Sequence, residues 1–336
     1  MNRMPPGFWY RRADEPPPIF EKILDFAAPI YRAAHMLRQN IGLPYKSKIP
    51  VICIGNLNVG GAGKTPSALA LMDIVKREHL ARAPFFLSRG YGGAVPGPML
   101  VNPAIHSSWN VGDEALILGR IAPTVIAHDR AKGAELAERE GADMILMDDG
   151  FQNPGLAKDI SIVVINGEMG FGNLKTLPAG PLRETLKPGL DRADAFILIG
   201  ADKRNIFMHL PPGKPLFRAE ISPESHAPPG GAYIAFAGIG HPEKFFGFLR
   251  AQNYDLAETV SFADHYPYTD EDMNLLLQKS DSAGAVLITT RKDFLRIPEQ
   301  FRARVHVIDI VLNFTETGAV HEFLKTKIDI INNKKQ

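Results

Sequence analysis

One stretch limits what this chain can fold into more than any other: Val51-Ile-Cys-Ile-Gly-Asn-Leu-Asn-Val-Gly-Gly-Ala-Gly-Lys-Thr-Pro66. The apolar run Val51 to Ile54 predicts a buried strand, and Ala68, Leu71, Met72 and Val75 repeat behind the loop at helical spacing. Strand, glycine-rich loop, Lys-Thr and helix in that order are the parts of a phosphate-binding P-loop. The backbone of Asn58, Val59, Gly60, Gly61, Ala62 and Gly63 is expected to turn its N–H groups around phosphate oxygens. The helix N-terminus adds its positive end to that ring. Lys64 is then expected on the β- and γ-phosphates, and the Thr65 hydroxyl on Mg²⁺. The usual spacing has glycine where this chain has Asn58; asparagine tolerates left-handed angles, so the loop is expected to close through it. Pro66 fits the first helical turn, where a missing N–H costs nothing.

A second strand signal ends in acid. Asp143-Met-Ile-Leu-Met-Asp-Asp-Gly150 carries four apolar residues to the paired Asp148 and Asp149, as a Walker-B strand does when it brings carboxylates to a metal beside a P-loop. Further apolar runs at 84–88, 124–127, 160–165 and 195–199 alternate with helical segments. That pattern predicts an α/β fold, a P-loop NTPase-like mostly parallel sheet with helices on both faces. Arg89 follows the strand at 84–88, where it faces an anionic group or belongs to a plain turn; Arg183 sits in the rigid loop Leu177-Pro-Ala-Gly-Pro-Leu-Arg-Glu184. Asp113, in Asn110-Val-Gly-Asp-Glu114, occupies a helix N-cap position by pattern. His265, in Asp264-His-Tyr-Pro-Tyr268, reads by itself as either buried structure or a proton acceptor.

The length of 336 residues allows two cores, and a net charge of +1 gives no global bias toward nucleic acid. Cys53 is the only cysteine, which excludes an internal disulfide or a cysteine-based metal cluster. No apolar run is long enough to span a membrane, and the proline- and charge-rich start lacks a signal-peptide pattern. Four regions are expected. Residues 1–48 are a leader and an amphipathic helical segment, 49–215 the P-loop domain, 216–231 a Pro/Gly-rich connector, and 232–336 a smaller C-terminal α/β domain. Within the last, Gly238-Ile-Gly240 at a strand–helix junction is half of a dinucleotide fingerprint and lacks its third glycine. In the first, Ile19, Phe20, Ile23, Leu24, Ala27, Ile30, Tyr31, Ala34 and Leu37 recur at helical spacing, with Lys22, Arg32 and Arg38 between them and Pro29 as a kink. Periodicity leaves two uses open: packing on the next domain, or lying apolar-side down in a membrane interface.

Several motifs agree in order and spacing with one family. The chain resembles tetraacyldisaccharide 4'-kinases through Gly55–Pro66, Leu87-Ser-Arg-Gly-Tyr-Gly92, Val111–Glu114 and Met147-Asp-Asp-Gly-Phe-Gln152. Pro178–Glu184, Asp264–Tyr268 and Thr290-Arg-Lys-Asp293 continue the match. In the last cluster the family usually has Glu where this chain has Arg291. The resemblance implies transfer of the γ-phosphate of ATP, with Mg²⁺, to the 4'-hydroxyl of an acylated glucosamine disaccharide 1-phosphate. It implies Asp113 and His265 as a catalytic dyad, with Asp113 the base and His265 its partner, and Thr65, Asp148 and Asp149 on the metal. Arg89, Arg183 and Gln152 are expected on substrate. The amphipathic segment then reads as a peripheral dock on the cytoplasmic face of a bacterial inner membrane, with no nucleic acid and no obligate protein partner. A membrane-associated ATPase or GTPase switch without a lipid acceptor is the alternative.

Overall fold

The protein is described by a computed structural model covering residues 6–11, 15–39, 42–224 and 231–335. Two short helices, α1 (Ile19–Asp25) and α2 (Ala28–Gln39), precede β1 (Val51–Gly55) and α3 (Lys64–Arg77). Next come β2 (Pro84–Ser88), β3 (Met99–Leu100), α4 (Ser108–Val111), α5 (Asp113–Gly119), β4 (Thr124–Ile126) and α6 (Arg130–Arg139). The first lobe continues with β5 (Met144–Asp148), β6 (Ile160–Asn166), α7 (Leu186–Arg192), β7 (Ala195–Ile199) and β8 (Leu216–Pro223). The second lobe holds β9 (Tyr233–Ala237), α8 (Pro242–Ala251), β10 (Leu256–Ser261), α9 (Asp270–Ala283), β11 (Val286–Thr290), α10 (Arg291–Phe294) and β12 (Val305–Ile308). The chain then returns to the first lobe as β13 (Ile310–Phe314) and α11 (Thr317–Lys335).

The large sheet runs β13-β8-β7-β6-β1-β5-β2-β4-β3 and is parallel except at its two edges, where β13 and β3 pair antiparallel. The second lobe is a four-stranded parallel sheet, β10-β9-β11-β12. Every residue of β1 is buried, because helices cover both faces. Ile52 and Ile54 enter the core with Ala68, Leu71 and Met72 of α3, while Val51 and Cys53 enter the opposite core with Ala134 of α6 and Leu190 of α7. This two-sided burial is why the strand reads as an unbroken apolar run rather than an alternating one. The register sets Ile54 beside Asp148, so the tip of β5 opens directly next to the loop that leaves β1. That edge, between β1 and its outward-running neighbours, is where ligands bind in such sheets.

Two expected boundaries need correction. Residues 216–223, assigned by composition to a connector, form β8 parallel to β7; residues 225–230 of that segment lie outside the described residues. Phe217 and Ala219 point inward and Arg218 and Glu220 outward, a strand alternation masked by the prolines on either side. The run 305–312 reads as a single strand by its apolar pattern, and it is broken at Asp309: β12 joins the small sheet and β13 pairs with β8. The C-terminal helix belongs to the first lobe as well, burying Val320, Leu324, Ile328 and Ile331 in the core beneath α3. The second lobe is therefore an insertion between β8 and β13. At its base the Glu224 N–H donates to the Asp309 carbonyl at 2.9 Å.

The N-terminal helices are held by their polar side. The break falls at Phe26-Ala27 rather than at Pro29, which sits in the first turn of α2. Glu21 has no exposed surface and is clamped by Arg11 and Lys175. Tyr31 Oη donates to the Arg183 carbonyl at 2.9 Å, and Gln39 Nε2 to the Gln152 carbonyl at 2.7 Å. The apolar side chains face outward instead, with Phe26 86% and Ile30 73% exposed. Packing through the apolar face is not what anchors this segment.

Candidate active site

The loop after β1 closes through glycine, not through Asn58. Gly60 and Gly63 have positive φ, and a side chain at Gly63 would strike Ile199 at 2.4 Å. Asn58 instead stitches the loop down: its Nδ2 donates to the Gly170 carbonyl at 2.8 Å, and the Val59 N–H to the Pro181 carbonyl at 2.8 Å. The left-handed role expected of Asn58 is unnecessary because the turn is made two residues later. α3 starts at Lys64, with Pro66 in its first turn. Lys64 Nζ lies 3.3 Å from Asn56 Oδ1 and 3.5 Å from Asp149 Oδ2, so its ammonium is aimed back over the loop toward the β5 tip.

At that tip the two aspartates differ. Asp149 adopts a left-handed conformation and faces Lys64 and Arg183, whose Nη1 donates to it at 2.9 Å. Burial works to raise its pKa, and the two cations outweigh burial and hold it low. Asp148 is buried and accepts from Thr65 Oγ1 at 3.0 Å through one oxygen, while its other oxygen is buried without a partner. Burial first, and then the charges of Glu114 and Asp149, push its pKa up to about 7. An orphaned carboxylate oxygen beside a threonine hydroxyl is the donor set a small divalent cation requires, and a cation there would relieve the upward shift. Among the described residues no three or more His, Cys, Asp or Glu gather as a metal cage, so phosphate oxygens would have to complete the coordination.

The opposite wall is built by the second lobe. Asp113 is the first residue of α5, and its side chain does not cap the helix as the sequence pattern suggested. Gly112 precedes it at φ 87°, where any side chain would meet the Tyr91 carbonyl at 2.2 Å; only glycine turns the chain this sharply. The carboxylate thereby points across the cleft to His265, whose Nδ1 lies 3.0 Å away, and to Arg296, whose Nη2 is also 3.0 Å away. Burial works to raise the Asp113 pKa, and the hydrogen bond from His265 and the charge of Arg296 pull it below the ordinary carboxylate value. His265 moves the other way: its bond to Asp113 raises its pKa against the opposing effect of burial. Gly238, singled out as a fragment of a dinucleotide fingerprint, is used up in supporting this pair. Its carbonyl accepts from His265 N and Arg296 Nη1, and its N–H donates to Asp293.

The Asp113–His265 contact carries a titration signature. The His265 imidazole is expected to titrate above its ordinary value, so the ion pair contributes fully below the unfolded histidine pKa and is lost as pH rises through the folded one. In Asp113→Asn burial becomes the leading influence and lowers the imidazole pKa, with Asp264 opposing it and Arg296 adding to it, so the titration should move down from that of the wild type. Nitrogen-15 NMR of labelled histidine reads this directly; an unshifted titration in the variant would rule the contact out.

The sequence-selected residues therefore assemble at one cleft, with two refinements. Arg183 and Gln152 lie on the phosphate side, Gln152 donating to the Asn56 carbonyl at 2.9 Å and to Glu184 at 3.1 Å. Arg89 is exposed and forms no ion pair among the described residues; its charge acts on Arg130. Four neighbours were not selected. Arg130 is buried with its Nε unpartnered, and burial, with Arg89, drops its pKa to about 10. Glu114 and Lys292 join across the cleft at 2.7 Å. Arg296 completes the set. Arg130 follows the strand at 124–126, and Glu114 and Lys292 lie within motifs already noted, so position gave a signal for three of them. Arg296 had none.

The chain matches the profile of the tetraacyldisaccharide-1-P 4'-kinase (LpxK) family over residues 21–329. It belongs to that family. It is 46% identical over 312 residues to the tetraacyldisaccharide 4'-kinase of Gluconacetobacter diazotrophicus, covering 92% of this chain and 94% of that one. Identity to the Rhodospirillum rubrum tetraacyldisaccharide 4'-kinase is 44% over 319 residues, covering 93% and 94%. Among solved structures, LpxK from Aquifex aeolicus in complex with ATP superposes with a TM-score of 0.75 at 26% identity, covering 92% of this chain and 99% of that one. The protein is accordingly a kinase with a P-loop fold, and no described helix is long and apolar enough to cross a membrane.

Proposed function

We propose that the cleft transfers the γ-phosphoryl group of ATP to the 4'-hydroxyl of a tetraacyl glucosamine disaccharide 1-phosphate, with Asp113 and His265 taking the hydroxyl proton. One observation supports the residue assignment: a carboxylate–imidazole pair from two lobes sits beside Glu114, whose charge acts on Asp148 and responds to Lys64 of the P-loop. In the transfer the 4'-oxygen bonds to the γ-phosphorus, the bond to the β–γ bridging oxygen breaks, and ADP leaves with that electron pair. The proton passes to the Asp113–His265 pair as a coupled unit, since each group shifts the other's titration. Lys64 and the loop N–H groups hold the phosphates, and Arg183 adds charge beside Asp149. Thr65 and Asp148 would hold Mg²⁺, which when bound neutralises phosphate charge. A nucleotide switch that gives phosphate only to water needs no acceptor for a sugar proton. Transfer of labelled γ-phosphate to a tetraacyl disaccharide 1-phosphate, with wild type and Asp113→Ala in parallel, tests the assignment. Product from wild type alone, with nucleotide binding kept in the variant, is the expected result; equal product from both would defeat it.

We also infer that α1 and α2 dock the enzyme on the cytoplasmic face of the inner membrane. Their outward apolar side chains lie among the exposed cations Lys22 and Arg32, which suits an anionic interface. Replacing Phe26 and Ile30 together by Ser should weaken binding to anionic phospholipid vesicles at least about tenfold, because each buried apolar side chain contributes about 1.5–3 kcal/mol. The thermal midpoint should hold, as both side chains are exposed. Unchanged co-sedimentation with vesicles would count against docking.

A further inference from the structure

The cleft contains a cation that the phosphate and proton assignments leave unused. Lys292 stands in the first turn of α10, a helix too short to be held by its own hydrogen bonds and fixed instead by what surrounds it. Asp293, with no exposed surface, accepts from Tyr268 Oη at 2.9 Å and from the Gly238 N–H at 2.8 Å, and shares a hydrogen bond with Thr290 Oγ1 at 2.6 Å. Arg291, the departure from the usual glutamate, is clamped on Asp309, where the chain crosses back to the large sheet. The neighbours on both sides of Lys292 are thus locked to the second lobe, and of these three residues it is Lys292 that reaches the first lobe.

It points at Glu114, on the first lobe, at 2.7 Å, with about a third of each side chain exposed. As a surface ion pair this would be a weak tether and nothing more. The surroundings argue otherwise. Glu114 feels Lys64 and Asp149, and its charge helps raise Asp148; Lys292 in turn feels Asp113 and Asp148. The ammonium therefore touches Glu114 and lies within the electrostatic reach of Asp113 and Asp148. Those carboxylates have different claims on them. Asp149 is held by Lys64 and Arg183, Asp113 by Arg296 and His265, and Asp148 keeps its orphaned oxygen. Lys292 is the cation paired with Glu114, the carboxylate whose charge acts on Asp148.

We propose that Lys292 is a phosphate-neutralising residue supplied by the second lobe, held by Glu114 in the free enzyme and released onto the transferring γ-phosphoryl oxygens when nucleotide fills the cleft. With Mg²⁺ held by Thr65 and Asp148, part of the Glu114 charge would be offset, and the Lys292 ammonium would be free to leave that carboxylate. The new anionic oxygens then lie between the two lobes, within the same electrostatic field. Lys292 accepts no proton and forms no bond to phosphorus; it offsets charge that spreads over the equatorial oxygens as the γ-phosphoryl group leaves ADP. The proposal rests on the phosphoryl-transfer reading above, and the two can fail separately.

The test uses full-length enzyme with Lys292→Met and Lys292→Arg beside wild type, followed by kcat for the lipid acceptor. Binding of a non-hydrolysable ATP analogue is titrated against Mg²⁺ in parallel. Lys292→Met should lose about a hundredfold or more in kcat, and Lys292→Arg should recover part of it. Because Glu114 loses a competing cation, half-saturation with Mg²⁺ should move about two- to fivefold lower in Lys292→Met, the scale of a partly exposed ion pair. A mere tether between lobes predicts a lower thermal midpoint with kcat and the Mg²⁺ titration unchanged, and that result would overturn the proposal. So would full activity in Lys292→Met. Should Lys292→Met fail to fold, Lys292→Gln replaces it under the same criteria. No lipid product from wild type would sink the parent reading instead, while the Mg²⁺ titration would still judge Lys292.

Discussion

Asp113→Asn is expected to lower kcat by about a thousandfold, the middle of the range for losing a positioned proton acceptor, with nucleotide-analogue binding little changed. Asparagine keeps the shape but carries no charge for His265 or Arg296 to answer. The same substitution should destabilise the fold, because Asp113 and Arg296 side chains are 2% and 6% exposed and breaking such a buried pair costs about 3–5 kcal/mol. Arg296 retains the Gly238 carbonyl and Asp293, which places the loss toward the lower end. Adding Arg296→Met removes the stranded cation. The double variant should regain thermal midpoint without regaining kcat, and this separates chemistry from folding. Recovery of both together would show that Asp113 matters only as a structural counter-charge.

Asp148→Asn should have opposite effects on stability and activity. In the metal-free protein, the raised Asp148 pKa means that the folded state binds more protons than the unfolded one between the ordinary carboxylate range and about 7. Stability must therefore fall as pH rises through that window and level off above it. Removing the charge should stabilise the metal-free protein at pH 8, by an amount on the order of a few kcal/mol. Activity should fall by two or more orders of magnitude, about what loss of one strong electrostatic contact to developing charge costs. Denaturant melts at pH 5 and pH 8 check the first statement. A variant less stable than wild type at pH 8 would show that Asp148 is satisfied without a cation.

These outcomes bear on how legible the protein was in its sequence. The P-loop, the acidic tip of β5 and the α/β class could be read because each rests on local pattern. Residues 51–54 are apolar without interruption because both faces of β1 are covered, and 148–149 follow the strand directly. Asp113 and His265 were legible only through resemblance. Considered locally, one looked like a cap and the other like a core histidine, and neither local pattern holds information about a partner 152 positions away. β8 was hidden because proline-rich neighbours outweighed an alternation of only a few residues. The break at Asp309 was hidden because a strand shared by two sheets looks the same as a single strand until its partners are known.

What the sequence determined alone was the donor half of the site: glycines 60 and 63 permit the turn, Lys64 and Thr65 follow it, and Asp148 arrives on the neighbouring strand. Those residues are close in sequence or tied by strand register, so short-range geometry suffices. Tertiary structure decided the acceptor half. It brought the second lobe, inserted between β8 and β13, over the first, so that His265, Lys292 and Arg296 meet Asp113 and Glu114. It also turned the apolar face of α1 and α2 outward by anchoring Glu21, Tyr31 and Gln39 instead. The reason is the same in both cases: which side of an amphipathic element is buried, and which distant charge answers a carboxylate, depends on partners that only the folded chain supplies.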